Sequence, residues 1–145
     1  MTTRSFVIKG DICYSTSLQV VEALENGYLV CENGRCAGVF SSIPTEYTSF
    51  PLTDCTGQLV VPGLVDLHVH APQYAFRGLG MDLELLEWLN THTFPEESKY
   101  SDLTYADQAY RKFVRDLTLG PNTRACIFAT LHTEATIHLM HLLEA

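Results

Sequence analysis

The stretch that most constrains the fold runs from residue 60 to residue 70 and reads VVPGLVDLHVH. Apolar and largely β-branched residues occupy most of its positions, which is typical of a strand covered on both faces. The Pro62-Gly63 pair interrupts the run, so the pattern predicts that strand pairing restarts at Leu64. We therefore predict an α/β fold in which this strand is buried.

Polar side chains recur on one face of this strand. Side chains two residues apart point the same way, so Asp66, His68 and His70 share a face. His68 and His70 would lie roughly 6.5–7 Å apart at Cα, close enough for both imidazoles to bind one metal ion. Two hydrogen-bonded core histidines are the alternative, but the Pro-Gly break, the preceding aspartate and the loop that follows favour metal ligation. Asp66 could orient a histidine ring or make a structural hydrogen bond.

The stretch 62–70 resembles the first barrel strand of the amidohydrolase superfamily. Within that superfamily, four segments are similar to the guanine deaminase family: HAPQY at 70–74, LLEWL at 85–89, TFPEE at 93–97 and ACIFATLHT at 125–133. The resemblance implies a (β/α)8 barrel that binds one zinc ion. It also places the two histidines at the C-terminal end of barrel strand one.

The resemblance implies a zinc-dependent hydrolysis in which water attacks C2 of guanine and ammonia leaves to give xanthine. His68 and His70 would be metal ligands, and His70, Ala71, Pro72 and Gln73 would line the substrate. Gln73 corresponds to the family's purine-reading glutamine, whose amide both donates and accepts hydrogen bonds. Pro72 departs from the small polar residue expected there. The remaining zinc ligands and the general acid would lie beyond residue 145.

The length of the chain limits how much of such an enzyme it can contain. A complete (β/α)8 barrel needs about 250 residues, and this chain has 145. We expect residues 1–61 to form the N-terminal part of a composite β-sandwich and residues 62–145 to form the first one or two βα units of an incomplete barrel. We expect the chain alone to be inactive, and the resemblance implies a homodimer for the complete enzyme. A triazine-type aminohydrolase and a non-catalytic interaction product are the alternatives.

Local patterns predict the individual elements. Glu32-Asn33-Gly34 between two apolar runs predicts a β-hairpin. Residues 18–25 are predicted as a loop leading into a strand, 82–88 as a short helix and 91–99 as irregular, because Pro95 interrupts it. A helix is predicted over 102–119 with Ser101 as its N-cap, followed by a strand over 123–131 and a helix over 134–144.

Composition excludes some functions and partners. The net charge of −8 argues against nucleic-acid binding, and no apolar run approaches the length of a membrane span. Five cysteines without a CxxC pair predict reduced, buried thiols in a cytoplasmic protein. Among the other aromatic and histidine residues, Phe76 and Trp88 could line a pocket, and His132 could face the barrel mouth. His92, His138 and His141 are expected at the surface.

Overall fold

The computed structural model of the chain describes residues 5–144, which fall into two compact units, one up to Pro62 and one from Gly63. The first unit contains strands and one 3-10 turn, and the second combines two parallel strands with helices. The predicted α/β fold with the beginning of a barrel is therefore confirmed. Within residues 5–144, no helix is both long and apolar enough to cross a membrane.

The first unit is one four-stranded sheet. Its strands are β1 (Phe6–Ser17), β2 (Val20–Glu32), β3 (Arg35–Phe40) and β4 (Leu52–Val60), and they lie in the order β3-β2-β1-β4. The pairs β1–β2 and β2–β3 are antiparallel, whereas β1 and β4 are parallel. Val7, Ile12 and Val30 form the buried core of this unit, so its interior is small and apolar.

The β2–β3 hairpin forms at the predicted Asn-Gly turn. Asn33 has a φ of 52° and Gly34 a φ of 76°, and a type I′ turn requires positive φ at both central residues. The flanking residues Glu32 and Arg35 pair directly. The predicted turn chemistry thus sets the pairing next to the turn, and an irregularity between Val30 and Cys31 shifts the register farther along the strands.

The prediction that the cysteines are buried is wrong. Cys36 and Cys126 are exposed, the other three are half-buried, and no disulfide joins any of the five. Cys36 lies on β3, at one edge of its sheet. Cys126 lies on a strand that has a single strand neighbour among residues 5–144. Edge strands leave part of their side chains open to water, which the composition of the sequence does not reveal.

The second unit is built on two parallel strands, β5 (Leu64–His70) and β6 (Asn122–Phe128). The ladder extends past the end of β5, where the Ala71 N–H donates to the Phe128 carbonyl at 3.0 Å. The predicted second strand was too long, because the chain leaves the ladder after Phe128. Both strands therefore end at the same edge of the sheet.

The prediction that β5 is covered on both faces is also wrong. Leu64 and Val65 are each 53% exposed, and Leu67 is 76% exposed. Among residues 5–144, β6 is the single strand paired with β5, and the buried cluster of the second unit covers one face near the end of the pair. Several apolar side chains of β5 therefore stay exposed, because the described residues cover one face of the strand near its end.

Residues 85–101 are helical throughout, which corrects the prediction of an irregular segment. The helix α1 (Leu85–Trp88) continues through a π-helical turn (Leu89–Thr93) into α2 (Phe94–Ser98), and a 3-10 turn follows. Pro95 occupies the first turn of α2, where a missing N–H costs no intrahelical hydrogen bond. The wider π turn lets the chain enter this new helix without a break.

The helices α3 (Leu103–Leu119) and α4 (Thr133–Glu144) cover one face of the β5–β6 pair. The N-cap of α3 is Asp102 rather than the predicted Ser101, because the Asp102 carboxylate accepts from the Thr104 N–H at 2.8 Å. Gly120 follows the last residue of α3, as predicted. The buried cluster under both helices consists of Ala71, Tyr100, Ala106, Tyr110, Phe113, Ala135 and Leu139.

Candidate metal centre

The two histidines of β5 converge at the end of the strand. The Nε2 atoms of His68 and His70 lie 2.9 Å apart, and their ring centroids are 4.9 Å apart. A zinc–imidazole bond is about 2.0–2.1 Å long, so one ion could bind both nitrogens. Alternation along the strand brings the two rings to one face, and the structure therefore presents a two-nitrogen chelate.

Phe128 packs against both imidazole rings. Its ring centroid lies 4.5 Å from that of His68 and 4.9 Å from that of His70, and it stacks on His70 at 15°. The reason is the register of the parallel pair, in which His70 lies opposite Phe128. The phenyl ring restricts the rotation of both imidazoles, which favours the convergent arrangement over splayed rotamers.

Asp66 takes the structural role rather than the orienting one. Its carboxylate accepts from the backbone N–H of His68 at 3.1 Å, and within residues 5–144 it makes no hydrogen bond to a histidine ring. Asp66 therefore fixes the backbone at the end of β5 and leaves the ring nitrogens of His68 and His70 to other partners.

The segment after β5 forms a 3-10 turn over Pro72–Phe76. Gln73 is half-buried, and its side chain makes no hydrogen bond or ion pair within residues 5–144. Ala71 and Pro72 are buried, and the Tyr100 hydroxyl donates to the Pro72 carbonyl at 3.3 Å. The turn thus presents the Gln73 amide, while the side chains of Ala71 and Pro72 before it are buried.

An open groove of about 570 Å³ brings several of these side chains together. It is lined by His68, His70, Gln73, Phe76, Met81 and Trp88, among others. Phe76 and Trp88 lie 5.6 Å apart between ring centroids, and the Trp88 indole N–H donates to the Leu79 carbonyl at 3.1 Å. The predicted aromatic lining is therefore present beside the histidines, whereas Ala71 and Pro72 do not line the groove.

A hydrogen bond joins the turn to α3 near this groove. The Tyr74 hydroxyl donates to the Asp116 carboxylate. This bond raises the pKa of the Tyr74 phenol. The same bond, followed by the ion pair with Arg115, holds the pKa of Asp116 below its usual range. Local sequence patterns could not reveal the bond, because the partners are 42 residues apart.

A second polar cluster surrounds the buried carboxylate of Glu96. Glu96 is 7% exposed, forms an ion pair with Lys99 at 2.6 Å and accepts from the Tyr105 hydroxyl. Burial, together with the bond to Glu96, raises the pKa of Tyr105 to about 12. Burial raises the pKa of Tyr110 to about 12 as well. Both tyrosines therefore stay neutral at physiological pH; Tyr105 donates to Glu96, whereas the buried Tyr110 hydroxyl has no hydrogen-bond partner within residues 5–144.

The remaining histidines contribute little to the site. His92 stacks on Phe76 at 6.0 Å between centroids, and His138 contacts the Asp107 carboxylate at 2.7 Å, so neither is the plain surface residue predicted. His132 makes backbone contacts at the start of α4, and His141 is exposed. Within residues 5–144, none of these four histidines joins His68 and His70 in a group that could hold a metal ion.

The donor set fits a zinc ion in kind but is only part of a site. Imidazole nitrogen is a preferred zinc ligand, and a zinc site has at least three protein ligands. Within residues 5–144 no group of three or more histidine, cysteine, aspartate or glutamate side chains could hold a metal ion. The described residues therefore offer two candidate zinc ligands, fewer than a complete site needs.

Comparison with known proteins agrees with this geometry. The profile of the amidohydrolase family matches residues 59–145. The guanine deaminase of Mus musculus is 44% identical over 87 residues, which are 60% of this chain and 19% of that protein. The chain thus spans about a fifth of the length of this curated relative.

Solved structures extend the similarity to nearly the whole chain. The guanine deaminase of C. acetobutylicum, solved with guanine in its active site, matches with a TM-score of 0.88 and 38% identity, over 97% of this chain and 33% of that chain. A triazine hydrolase from Arthrobacter aurescens matches with a TM-score of 0.72 at 18% identity, over 95% of this chain and 33% of that chain. At that identity the second match shows a shared fold alone.

Proposed function

Because the chain belongs to the amidohydrolase family, we propose that it carries the metal-binding histidines and the purine-reading glutamine of a zinc-dependent guanine deaminase. The reaction converts guanine and water into xanthine and ammonia, a step of purine breakdown. The similarity to the guanine deaminases of mouse and C. acetobutylicum supports guanine as the substrate.

One observation supports this proposal most directly. The Nε2 atoms of His68 and His70 meet at 2.9 Å, and the groove that contains them also contains Gln73. A bare pair of core histidines would not need an unpartnered amide beside it. A metal-dependent hydrolase that orients a polar heterocycle needs both groups at the same place.

In this proposal His68 and His70 bind the zinc ion through Nε2. Bound zinc supplies Lewis-acid activation of a water molecule at neutral pH. Phe128 keeps both rings convergent by packing against them. Asp66 keeps the strand end in place by accepting from the His68 N–H. The chain thereby provides two ligands in a fixed geometry.

The Gln73 amide would hold the purine. Guanine presents neighbouring donors and acceptors, and a primary amide can match both. Phe76 and Trp88 supply apolar surface in the same groove, against which a flat ring can pack. Because Ala71 and Pro72 are buried, their proposed part in substrate binding reduces to support of the turn, and any direct contact stays a prediction.

Two further proposals concern the protein as a whole. We place it in the cytoplasm, because five cysteines without a disulfide suit a reducing compartment. The homodimer implied by the resemblance stays a prediction, which sedimentation velocity would check.

The proposal is tested by ligand binding and by turnover. Zinc should shift the ring resonances of His68 and His70 in an NMR titration of the chain, and guanine should then shift the side-chain amide of Gln73. For turnover, this chain would replace the matching third of the C. acetobutylicum enzyme, and formation of xanthine would be followed by absorbance. We expect the chimera to deaminate guanine and its His68→Asn variant to be inactive.

A Gln73→Met variant of the chimera separates the substrate role from the metal role. We expect it to keep its zinc and to lose guanine turnover by about tenfold or more, since one charge-neutral pair of hydrogen bonds is removed. A folded, zinc-loaded chimera that hydrolyses melamine but not guanine would overturn the proposed substrate. A chimera that is active without His68 would overturn the proposed metal site.

A further inference from the structure

Tyr74 connects the turn that carries Gln73 to helix α3. Its hydroxyl donates to the Asp116 carboxylate. Its ring meets the Phe113 ring edge-on at 5.6 Å, and the Arg77 guanidinium lies over it, 3.9 Å from the ring centroid. The Tyr74 side chain therefore makes a polar, an aromatic and a cation–π contact, and the three together restrict its rotation.

The backbone of the turn is tied to the same residue. The Tyr74 N–H donates to the Ala71 carbonyl at 3.3 Å, and the Arg77 guanidinium donates to the Tyr74 carbonyl at 3.0 Å. Gln73 precedes Tyr74 directly and has no side-chain hydrogen bond of its own within residues 5–144. Tyr74 therefore holds the backbone from which the Gln73 side chain extends.

The acceptor of this bond is itself held in place. Arg115 contacts Asp116 at 2.8 Å, and both residues belong to α3, which packs on the buried cluster through Phe113. The helix is a rigid support, whereas the turn is short and irregular. The hydroxyl–carboxylate bond is a charge-assisted one, and such bonds are stronger than neutral ones.

We propose that Tyr74 and Asp116 are positioning residues that fix the Gln73 amide at the distance from His68 and His70 at which it meets the substrate. The proposal rests on the proposed function and adds two residues that do not touch the metal. They act through the turn, so their loss should weaken binding of guanine and leave binding of zinc unchanged.

The first experiment does not depend on the substrate. Amide hydrogen exchange of the turn would be measured by NMR in the full chain and in its Tyr74→Phe, Asp116→Ala and double variants. We expect the Tyr74 amide to exchange about tenfold faster in each single variant than in the wild type. The double variant should exchange at the same rate as the single variants, because all three lose the same bond. Tyr105→Phe, which removes a hydroxyl bonded to Glu96 instead, should leave the turn unchanged.

The second experiment uses the zinc-loaded chimera described above and measures its KM for guanine and its affinity for zinc. We expect Tyr74→Phe to raise the KM for guanine about tenfold and to leave zinc affinity within twofold, with Tyr105→Phe like the wild type in both. Equal exchange rates in the Tyr74→Phe and wild-type turns would overturn the positioning role, as would equal KM values for guanine. Absence of guanine turnover by the folded, zinc-loaded wild-type chimera, with faster exchange in the variants, would overturn the proposed substrate and keep the anchored turn.

Discussion

The two faces of the β5–β6 pair have opposite characters although their residues alternate one by one. Val69 and Ile127 lie opposite each other and pack on the buried cluster under α3 and α4. Their neighbours His70 and Phe128 are also paired, and they point to the other face with His68. Since a shift of one residue exchanges the faces, a single strand register sets both the packing and the chemistry.

This difference indicates that stability and metal binding can be changed separately. The face toward the helices packs on the cluster that contains the large buried side chains of Tyr100 and Tyr110, and the face with the histidines lines an open groove. A substitution on one face should leave the property of the other intact. Variants on each face therefore test whether the separation is real.

The largest expected effect is on the histidine face. His68→Asn removes one of the two proposed zinc ligands, and zinc affinity should fall by at least about tenfold, because even the outer partners of metal ligands are typically worth 10–100-fold. The denaturant midpoint of the metal-free chain should not change, since His68 is exposed. Competition with a fluorescent chelator measures the affinity.

His141→Asn is the matched control, because His141 is an exposed histidine on α4. It should bind zinc as the wild type does. Equal affinity of the His68→Asn variant and the wild type would show that the convergent pair is not the zinc site. Metal binding could then no longer be assigned to the histidine face.

A smaller effect on function, but a clear one on stability, is expected on the helix face. Leu139 is 2% exposed, and Leu139→Ala should lower the free energy of unfolding by about 2–5 kcal/mol through lost burial and an unfilled cavity. Urea unfolding followed by the fluorescence of Trp88, the one tryptophan of the chain, measures the change. Below the transition, zinc affinity should equal that of the wild type.

Ile137→Ala on the same helix provides the comparison, because Ile137 is 46% exposed. Its cost should be well below that of Leu139→Ala. If the two variants lose the same stability, burial of Leu139 is not the cause of its loss. If Leu139→Ala weakens zinc binding while folded, the faces are coupled and the register argument fails.

Much of the histidine face could be predicted from sequence, because it depends on alternation within one strand. The positions of His68 and His70, the Asn33-Gly34 turn and the end of α3 at Gly120 all follow from patterns within a few residues. The N-cap was misplaced by one residue, since Ser101 and Asp102 are both good caps and the hydroxyl of Ser101 donates to the Ser98 carbonyl instead.

Contacts between distant segments could not be predicted in the same way. The packing of Phe128 on both histidines depends on where β6 ends, which the run of apolar residues to Leu131 concealed. The Tyr74–Asp116 bond needs the packing of α3, and the π turn before Pro95 has no local signature. Exposure of Leu67 depends on which strands flank β5, which a pattern of apolar residues cannot specify.

The smallest expected effect concerns a charge cluster that joins the two helices over the covered face. Asp107 on α3 contacts Arg111 on the same helix and His138 on α4. Its hydrogen bonds to Arg111 and then to His138 hold the pKa of the Asp107 carboxyl below its usual range. A carboxylate with a lowered pKa stabilises the folded state above the pKa it has when unfolded, and this contribution is lost as the pH falls through the lowered value.

Asp107→Asn should therefore destabilise the chain slightly at pH 7 and less at pH 3, because the contribution of the wild-type carboxylate is lost as the pH falls through its lowered pKa. Urea midpoints of both proteins at the two pH values measure the difference. Because the cluster is partly open to solvent, its contribution should be much smaller than that of Leu139. A deficit that stays the same from pH 7 to pH 3 would mean that Asp107 acts through packing and not through its charge. The contribution of Asp107 to the contact between α3 and α4 would then be one of packing.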